Sequence, residues 1–171
     1  MKHEQVVQQL PALRRYALAL TGDRWAADDL LQDTLERACS KWRLWIVGTD
    51  LRAWLFTLMH NLYLNERRNT LSQSAVVAID DVANELAAPA RSLDDAMDLD
   101  RCLQRLPGEQ RAVLLLVTLE DMDYREVARV LKIPVGTVMS RLSRARTRLR
   151  ELMQADADAP AAGEPALRRL K

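Results

Sequence analysis

Apolar residues recur at helical spacing between positions 135 and 152, and this stretch limits the possible folds more than any other in the chain. The steps between them are three or four residues, which aligns the side chains on one face of an α-helix. They are Val135, Val138, Leu142, Ala145, Leu149 and Leu152. A stripe of this length predicts one long helix that buries it against other helices, so these side chains are not expected to contact an external partner.

The other faces of this helix carry a high density of arginine. Five arginines lie between Arg141 and Arg150, and the first acidic residue of the stretch is Glu151. The whole chain has 25 basic and 24 acidic residues and a net charge of +1, so this positive charge is local. The arginines could complement the dipole at the end of a solvated helix, or they could bind the phosphates of a nucleic acid. The scarcity of acidic partners four residues away favours nucleic acid.

The segment before this helix completes a DNA-binding pattern. Asp123 and Glu126 have the spacing of a capping box, which predicts a helix over residues 124–131. A turn at 132–133 follows, and Pro134 suits the first position of the next helix. Two helices joined by a tight turn, the second rich in Arg and Ser, are typical of a helix-turn-helix. In that motif the second helix lies in the major groove of DNA.

Composition and the placement of cysteine and histidine exclude several function classes. The chain has 171 residues, of which 49% are hydrophobic and 29% charged, and only five glycines, so we expect an all-α globular protein. It has neither a signal peptide nor an apolar run near the roughly 20 residues that span a membrane, which predicts a cytoplasmic protein. Cys39, Cys102, His3 and His60 stand far apart, so no metal site is expected. Phosphate-binding loops and nucleophile motifs are also missing, so we expect no cofactor and no enzymatic activity.

Periodicity divides the chain into two small helical domains joined by a flexible linker. The expected bounds are 1–69 for the first domain, 70–95 for the linker, 96–153 for the second domain and 154–171 for a flexible tail. In the first domain Gly22 is suited to end one helix and Asp23 to start the next. Pro11 is expected to kink or restart the first helix.

Three segments in this order resemble the extracytoplasmic-function (ECF) sigma factors, the bacterial RNA polymerase subunits that choose promoters. The family's C-terminal helix-turn-helix domain is similar to YREVARVLKIPVGTVMSRLSRARTRLREL at 124–152, and its entry is similar to the Leu-Pro-x-x-x-Arg pattern at 106–111. The family's polymerase-clamp-binding helix resembles DDLLQDTLERA at 28–38. Its helix for the promoter −10 element resembles LRAWLFTLMHNLYLNERR at 51–68. The resemblance spans the chain from Val6 to Met153.

The resemblance implies roles for individual residues. Polymerase binding is implied for Asp29, Gln32, Asp33 and Arg37. Contact with the −10 element is implied for Trp45, Asn61, Asn65, Arg67 and Arg68, where Asn61 and Trp45 match a pocket for a flipped base. Contact with the −35 element is implied for Thr137, Met139, Ser140, Arg141, Ser143, Arg144, Arg146 and Arg148. Among these, Met139, Ser140, Ser143 and Arg144 match positions that face bases, and Arg141, Arg146 and Arg148 suit phosphates or packing.

The resemblance also implies partners and shows departures from the family. The implied partners are core RNA polymerase (its clamp and flap regions), promoter DNA and an anti-sigma protein. The resemblance also implies that the protein is associated with the nucleoid and does not insert into a membrane. The acidic linker would thread the polymerase's nucleic-acid channel.

Met139 stands where the family usually has Lys or Arg, and Lys132 and Met122 replace the usual glycines of the turns. The loop 42–48 is more apolar than the common pattern, which bears on the choice of −10 base.

Two alternatives remain open from the residues. A stand-alone repressor or activator could use the same helix-turn-helix without polymerase, usually as a dimer on a two-fold site. A sigma-like decoy could bind an anti-sigma partner and no promoter, although the intact arginines on the reading helix argue against it.

Overall fold

The computed structural model describes residues 2–42, 50–74 and 94–158, and these ranges contain seven α-helices and no strand. The prediction of an all-α fold is confirmed. The helices are α1 (Lys2–Thr21), α2 (Arg24–Ser40), α3 (Leu51–Ser74), α4 (Asp94–Gln104), α5 (Gly108–Thr118), α6 (Tyr124–Leu131) and α7 (Val135–Asp158). Most of the expected linker lies outside the described residues, as do Trp45 and most of the loop at 42–48.

The first domain is built from α1, α2 and α3, which pack on one another. Gly22 follows α1 with a φ of +71°, a left-handed conformation that favours glycine, and the Asp23 carboxylate accepts from the Ala26 N–H at 2.8 Å. Both predicted caps are therefore present. The helix α1 runs through Pro11 without interruption. The interior of the bundle includes Tyr16 and Phe56, whose rings meet edge to face at 5.3 Å.

The second domain is built from α4 to α7, with α5 and α6 packed on α7. The predicted stripe on α7 is fully buried at Val138, Leu142 and Ala145 and half-buried at Leu149 and Leu152. At Val135 the prediction is wrong, because this side chain is 38% exposed. Val135 is the first residue of α7, and burial of the stripe begins one turn later.

Two expected bounds differ from the helices in the structure. The helix α3 continues to Ser74, past residue 69, and α7 continues to Asp158, into the expected tail. The end of α7 contacts Cys102 of α4 and Arg105, the residue after α4. The Asp156 carboxylate accepts from the Arg105 guanidinium at 2.9 Å and from the Cys102 thiol at 3.4 Å.

The two domains also pack against each other, with α3 on α6 and α1 on both α4 and α5. Arg111, the arginine of the Leu-Pro-x-x-x-Arg pattern, has a 6% exposed side chain and donates to the Leu20 carbonyl at 2.7 Å and the Leu106 carbonyl at 3.0 Å. Leu20 lies in the last turn of α1, where carbonyls lack partners within the helix and the helix dipole favours a cation. Arg111 thus joins the end of α1 to the start of the second domain.

Candidate nucleic-acid and polymerase interfaces

The helix-turn-helix is fixed by hydrogen bonds at both ends of α6. Asp123 accepts from the Arg125 and Glu126 N–H groups, each at 2.8 Å, and its own N–H donates to the Glu126 carboxylate at 2.9 Å. This is the predicted capping box. Lys132 ends α6 in the left-handed conformation, with φ +55° and ψ +46°.

The turns of this domain refine two sequence expectations. Pro134 lies one residue before α7, and its carbonyl accepts from the Thr137 and Val138 N–H groups at 2.9 and 3.1 Å. It is therefore the cap of α7 rather than its first residue. In the turn before α6 the left-handed residue is Asp121, with φ +50°, and not Met122. Met122 is buried in the core.

The outer faces of α7 present most of the residues expected at the −35 element. Six of the eight are exposed: Met139, Ser140, Ser143, Arg144, Arg146 and Arg148. Thr137 and Arg141 are half-buried, and Thr137 accepts from the Ser140 hydroxyl through its carbonyl at 3.1 Å. Arg141 differs from the other arginines, because its guanidinium forms a 2.6 Å ion pair with Glu109 of α5. The exposed set forms one continuous surface, because the buried stripe occupies the opposite face.

The residues expected at the −10 element lie along α3, apart from Trp45, which is outside the described residues. Asn61 is half-buried, and Asn65, Arg67 and Arg68 are exposed. Positions 61, 65 and 68 follow helical spacing and therefore share a face. The Arg67 guanidinium donates to the Tyr63 hydroxyl at 3.2 Å and stacks on its ring at 5.7 Å.

His60 lies next to Asn61 and is almost fully buried, with 7% exposure. Its Nδ1 has no hydrogen-bond partner among the described residues. Burial, and secondarily the positive charge of Arg141, lowers the pKa of His60 to about 4. The imidazole is therefore neutral at physiological pH, and Arg141 of the helix-turn-helix lies close enough to α3 to influence it.

The expected polymerase-binding residues lie along one exposed face of α2. Asp29, Gln32, Asp33 and Arg37 are all exposed; Gln32 and Asp33 lie three and four residues after Asp29, and Arg37 lies four residues after Asp33. Sequence reasoning missed Trp25, which is 81% exposed and stands four residues before Asp29 on the same face. Tryptophan is enriched at the centres of protein interfaces. The sequence held a signal that could have found it, because Trp25 is a large aromatic residue that lies outside the apolar stripe of α2.

The described residues contain no group of three His, Cys, Asp or Glu side chains that could hold a metal ion. Within the same ranges, no helix is both long enough and apolar enough to cross a membrane.

Comparisons with known proteins match both domains. Residues 6–60 match the family model of the Sigma2 domain of PhyR, and residues 96–149 match that of Sigma-70, region 4. The chain is 31% identical to the ECF RNA polymerase sigma factor EcfG of Rhodopseudomonas palustris over 159 residues, covering 90% of this chain and 85% of the relative. It is 35% identical to SigL of Mycobacterium tuberculosis over 153 residues, covering 83% and 82%.

Solved structures of similar fold agree with these matches. The sigma factor RpoE of Bartonella quintana, solved with the anti-sigma factor NepR, superposes with a TM-score of 0.73 and 34% identity, covering 90% of this chain and 97% of RpoE. CnrH, solved with the cytosolic domain of CnrY, superposes with a TM-score of 0.63 and 26% identity, covering 90% and 88%. The two matched domains, their order in the chain and the extent of the shared sequence lead to one conclusion: the chain belongs to the ECF sigma factors of RNA polymerase, which are transcription initiation factors.

Proposed function

We propose that this chain binds core RNA polymerase through α2, reads the −35 element with α7 and captures an unstacked −10 base beside α3. It acts in the cytoplasm, bound to the nucleoid through promoter DNA, and catalyses no reaction of its own. The observation that carries this proposal is the outer surface of α7. Three arginines, two serines and one methionine are exposed there. The capping box of α6 and the buried apolar stripe of α7 hold this surface in place.

The −35 residues divide into base readers and phosphate contacts. Met139, Ser140, Ser143 and Arg144 occupy the N-terminal half of α7, which meets base edges in a helix-turn-helix. Arg146 and Arg148 lie further along the helix and suit phosphates, which position the protein without specifying sequence. Met139 offers an apolar contact, which suits the methyl group of thymine.

The −10 residues suit a single-stranded base. Asn61 carries both a donor and an acceptor and can therefore read the edge of an extruded base. Trp45 would stack on that base, and stacking of this kind contributes about 1–3 kcal/mol. Extrusion costs a few kcal/mol, so a pocket of this type can offset it. Asn65, Arg67 and Arg68 continue the surface along the strand's backbone.

The α2 face suits the polymerase clamp, because it combines acidic side chains with the exposed indole of Trp25. The second domain would bind the flap region. An anti-sigma protein is a further partner, since RpoE and CnrH, both similar in sequence and fold, were solved with proteins described as an anti-sigma factor and the cytosolic domain of CnrY.

A sigma-like decoy is the second candidate, and one observation favours it. Residues 6–60 match the family model of the Sigma2 domain of PhyR, and PhyR of Bartonella quintana was solved as an anti-anti-sigma factor in complex with the anti-sigma factor NepR. A decoy would bind an anti-sigma protein and would have no use for an intact DNA-reading surface.

In vitro transcription from genomic fragments tests the proposal, with core RNA polymerase and this protein as the only specificity factor. Initiation at defined start sites sharing −35 and −10 sequences is expected, and core polymerase alone should give none. Failure to initiate, together with binding to an anti-sigma protein, would favour the decoy. A homodimer that occupies DNA without polymerase would favour a stand-alone regulator.

A further inference from the structure

Two large apolar side chains are exposed in the N-terminal half of α7, the half that meets base edges in a helix-turn-helix. Val135 is 38% exposed and Met139 is 54% exposed. They are four residues apart, so they lie next to each other along one side of the helix. Single exposed apolar residues are common on protein surfaces, but two adjacent ones on a DNA-reading helix indicate an apolar partner. This pair is called the apolar edge below.

The face of α7 beside the apolar edge is lined by small residues. Gly136, Ser140 and Ser143 recur at steps of four and three residues, and all three are exposed. A Cβ atom added at Gly136 would point into open space. A face with such short side chains lets the helix backbone lie deep in the major groove, which admits one α-helix. The longer side chain of Met139 then reaches the edges of the bases.

The other side of this small-residue face is cationic. Arg144 and Arg148 are exposed there, four residues apart. A guanidinium reads guanine through two hydrogen bonds. Met139 has no hydrogen-bond donor, and its thioether sulfur is only a weak acceptor. The apolar edge therefore recognises a base by contact with an apolar group rather than by hydrogen bonds.

The major groove offers one apolar group of this kind, the methyl group on C5 of thymine. Cytosine has a hydrogen atom on the same carbon, and 5-methylcytosine has a methyl group there. A methionine side chain is flexible and polarisable, so it adapts its shape to a methyl group without fixing the rest of the base. A contact through the methyl group alone does not depend on the hydrogen-bonding groups that distinguish thymine from cytosine.

We propose that the apolar edge, centred on Met139, is a subsite for the C5-methyl group of one pyrimidine in the −35 element, and that it accepts 5-methylcytosine as well as thymine. This rests on the proposed function, because it takes α7 as the helix that reads the −35 duplex. Methylation of a cytosine at this position strengthens recognition, so DNA methylation would regulate the promoters that have cytosine there.

Binding of the full chain to a −35 duplex tests the methyl contact, with the sequence taken from the start sites found by the transcription assay. Replacing one thymine at a time with deoxyuridine, on either strand, removes only the methyl group and keeps the base pair. At one position this change should weaken binding by about fourfold, the effect of burying one group of this size. With cytosine at that position, 5-methylcytosine should bind about fourfold more tightly than cytosine. Competition measured by fluorescence anisotropy gives each ratio.

Three variants assign the effect to Met139. Met139→Ala should abolish both preferences, because it removes the apolar side chain that contacts the methyl group. Met139→Leu keeps an apolar side chain of similar size and should retain them. Met153→Ala is the matched control, since Met153 lies on the same helix and is 46% exposed, but it follows the reading half. All three variants should have the helical circular dichroism of the wild type, because both positions are exposed.

Two outcomes would overturn the proposal. In the first, uracil changes the affinity of wild type and Met139→Ala by the same factor at every position, so that Met139 reads no methyl group. In the second, Met139 makes thymine preferred over uracil, but 5-methylcytosine is not preferred over cytosine at that position, so that the subsite reads more than the methyl group. Failure of the proposed function is a different result, because the wild type would then bind the −35 duplex and an unrelated duplex alike.

Discussion

At the scale of single residues, His60 makes stability depend on pH. Its pKa is about 4 in the folded protein and 6.5 in the unfolded chain. The free energy of unfolding should be flat above about pH 6.5 and should fall as the pH drops from there to about 4, because only the unfolded chain then binds the proton. The shift corresponds to a loss of about 3 kcal/mol.

Urea denaturation at several pH values measures this effect as the difference between wild type and His60→Gln. The variant should lack the decline that is specific to His60. His3→Gln, which changes the only other histidine, should keep it. Equal slopes for wild type and His60→Gln would show that the pKa of His60 is the same in the folded and the unfolded chain.

Two exposed arginines on α7 should differ in what they contribute to DNA binding. Arg144→Ala should lose about 1–3 kcal/mol and relax the preference at one −35 position, because a guanidinium reads guanine through two hydrogen bonds. Arg148 is proposed to contact a phosphate, so Arg148→Ala should weaken binding to all sequences alike and should reduce by about one the number of ions released on binding. Binding to a panel of −35 variants at two salt concentrations separates the two. A uniform effect of Arg144→Ala would remove it from the base readers.

At the scale of elements, the turn between α6 and α7 carries backbone strain at Lys132. A non-glycine residue in the left-handed region costs the folded state about 1–2 kcal/mol. Glycine avoids this cost, but it loses more conformational entropy on folding, which costs about 0.5–1 kcal/mol. Lys132→Gly should therefore raise the free energy of unfolding by about 0.5–1 kcal/mol. Thermal or urea unfolding measures it, and Lys132→Ala, which cannot relieve the strain, should show no gain. Equal behaviour of the two variants would contradict the explanation.

The exposed face of α2 should bind polymerase independently of the DNA-reading helix. Reversing the charges of Asp29 and Asp33 with arginine should weaken the complex with core polymerase by tenfold or more, which is about 1.4 kcal/mol. The new positive charges would repel, or fail to pair with, groups on the polymerase that the two carboxylates pair with. Binding of the same variant to a −35 duplex should stay unchanged, and this is its internal control. Unaltered co-purification with core polymerase would remove these residues from the interface.

The local elements could be predicted from the sequence, because each depends on residues only a few positions apart. The caps at Asp23 and Asp123 and most of the α7 stripe are of this kind. The ion pair between the buried carboxylate of Glu120, after α5, and the guanidinium of Arg15 on α1 could not be predicted, since the two residues lie 105 positions apart and nothing local marks either partner. The same holds for Arg141, whose ion pair with Glu109 comes from the packing of α7 on α5. The roles of the candidate site residues remain predictions from the family resemblance.

At the scale of the whole molecule, promoter affinity should depend on whether the two domains can act together. The two domains pack against each other in the structure, so we expect the free factor to engage only one element at a time and to bind a DNA with both elements little better than the −35 duplex alone. Holding both domains at a fixed spacing on polymerase makes the second contact intramolecular, with gains of roughly 10²–10⁴. Fluorescence anisotropy with and without core polymerase measures the difference. Tight binding by the free monomer that depends on both elements would contradict it.

The separation of the Glu120 pair along the chain also sets an order of events during synthesis. Glu120 is added 68 residues after Arg52. At about 5–20 residues per second, the ribosome needs roughly 3–14 seconds for that interval. For this time the first domain exists without the carboxylate that covers its α1 and α3 arginines. Every newly made chain therefore begins with the Arg15 and Arg52 guanidiniums lacking this carboxylate and pairs them with it only when the second domain emerges, so a partner that meets the nascent chain encounters a positive charge that the finished protein neutralises.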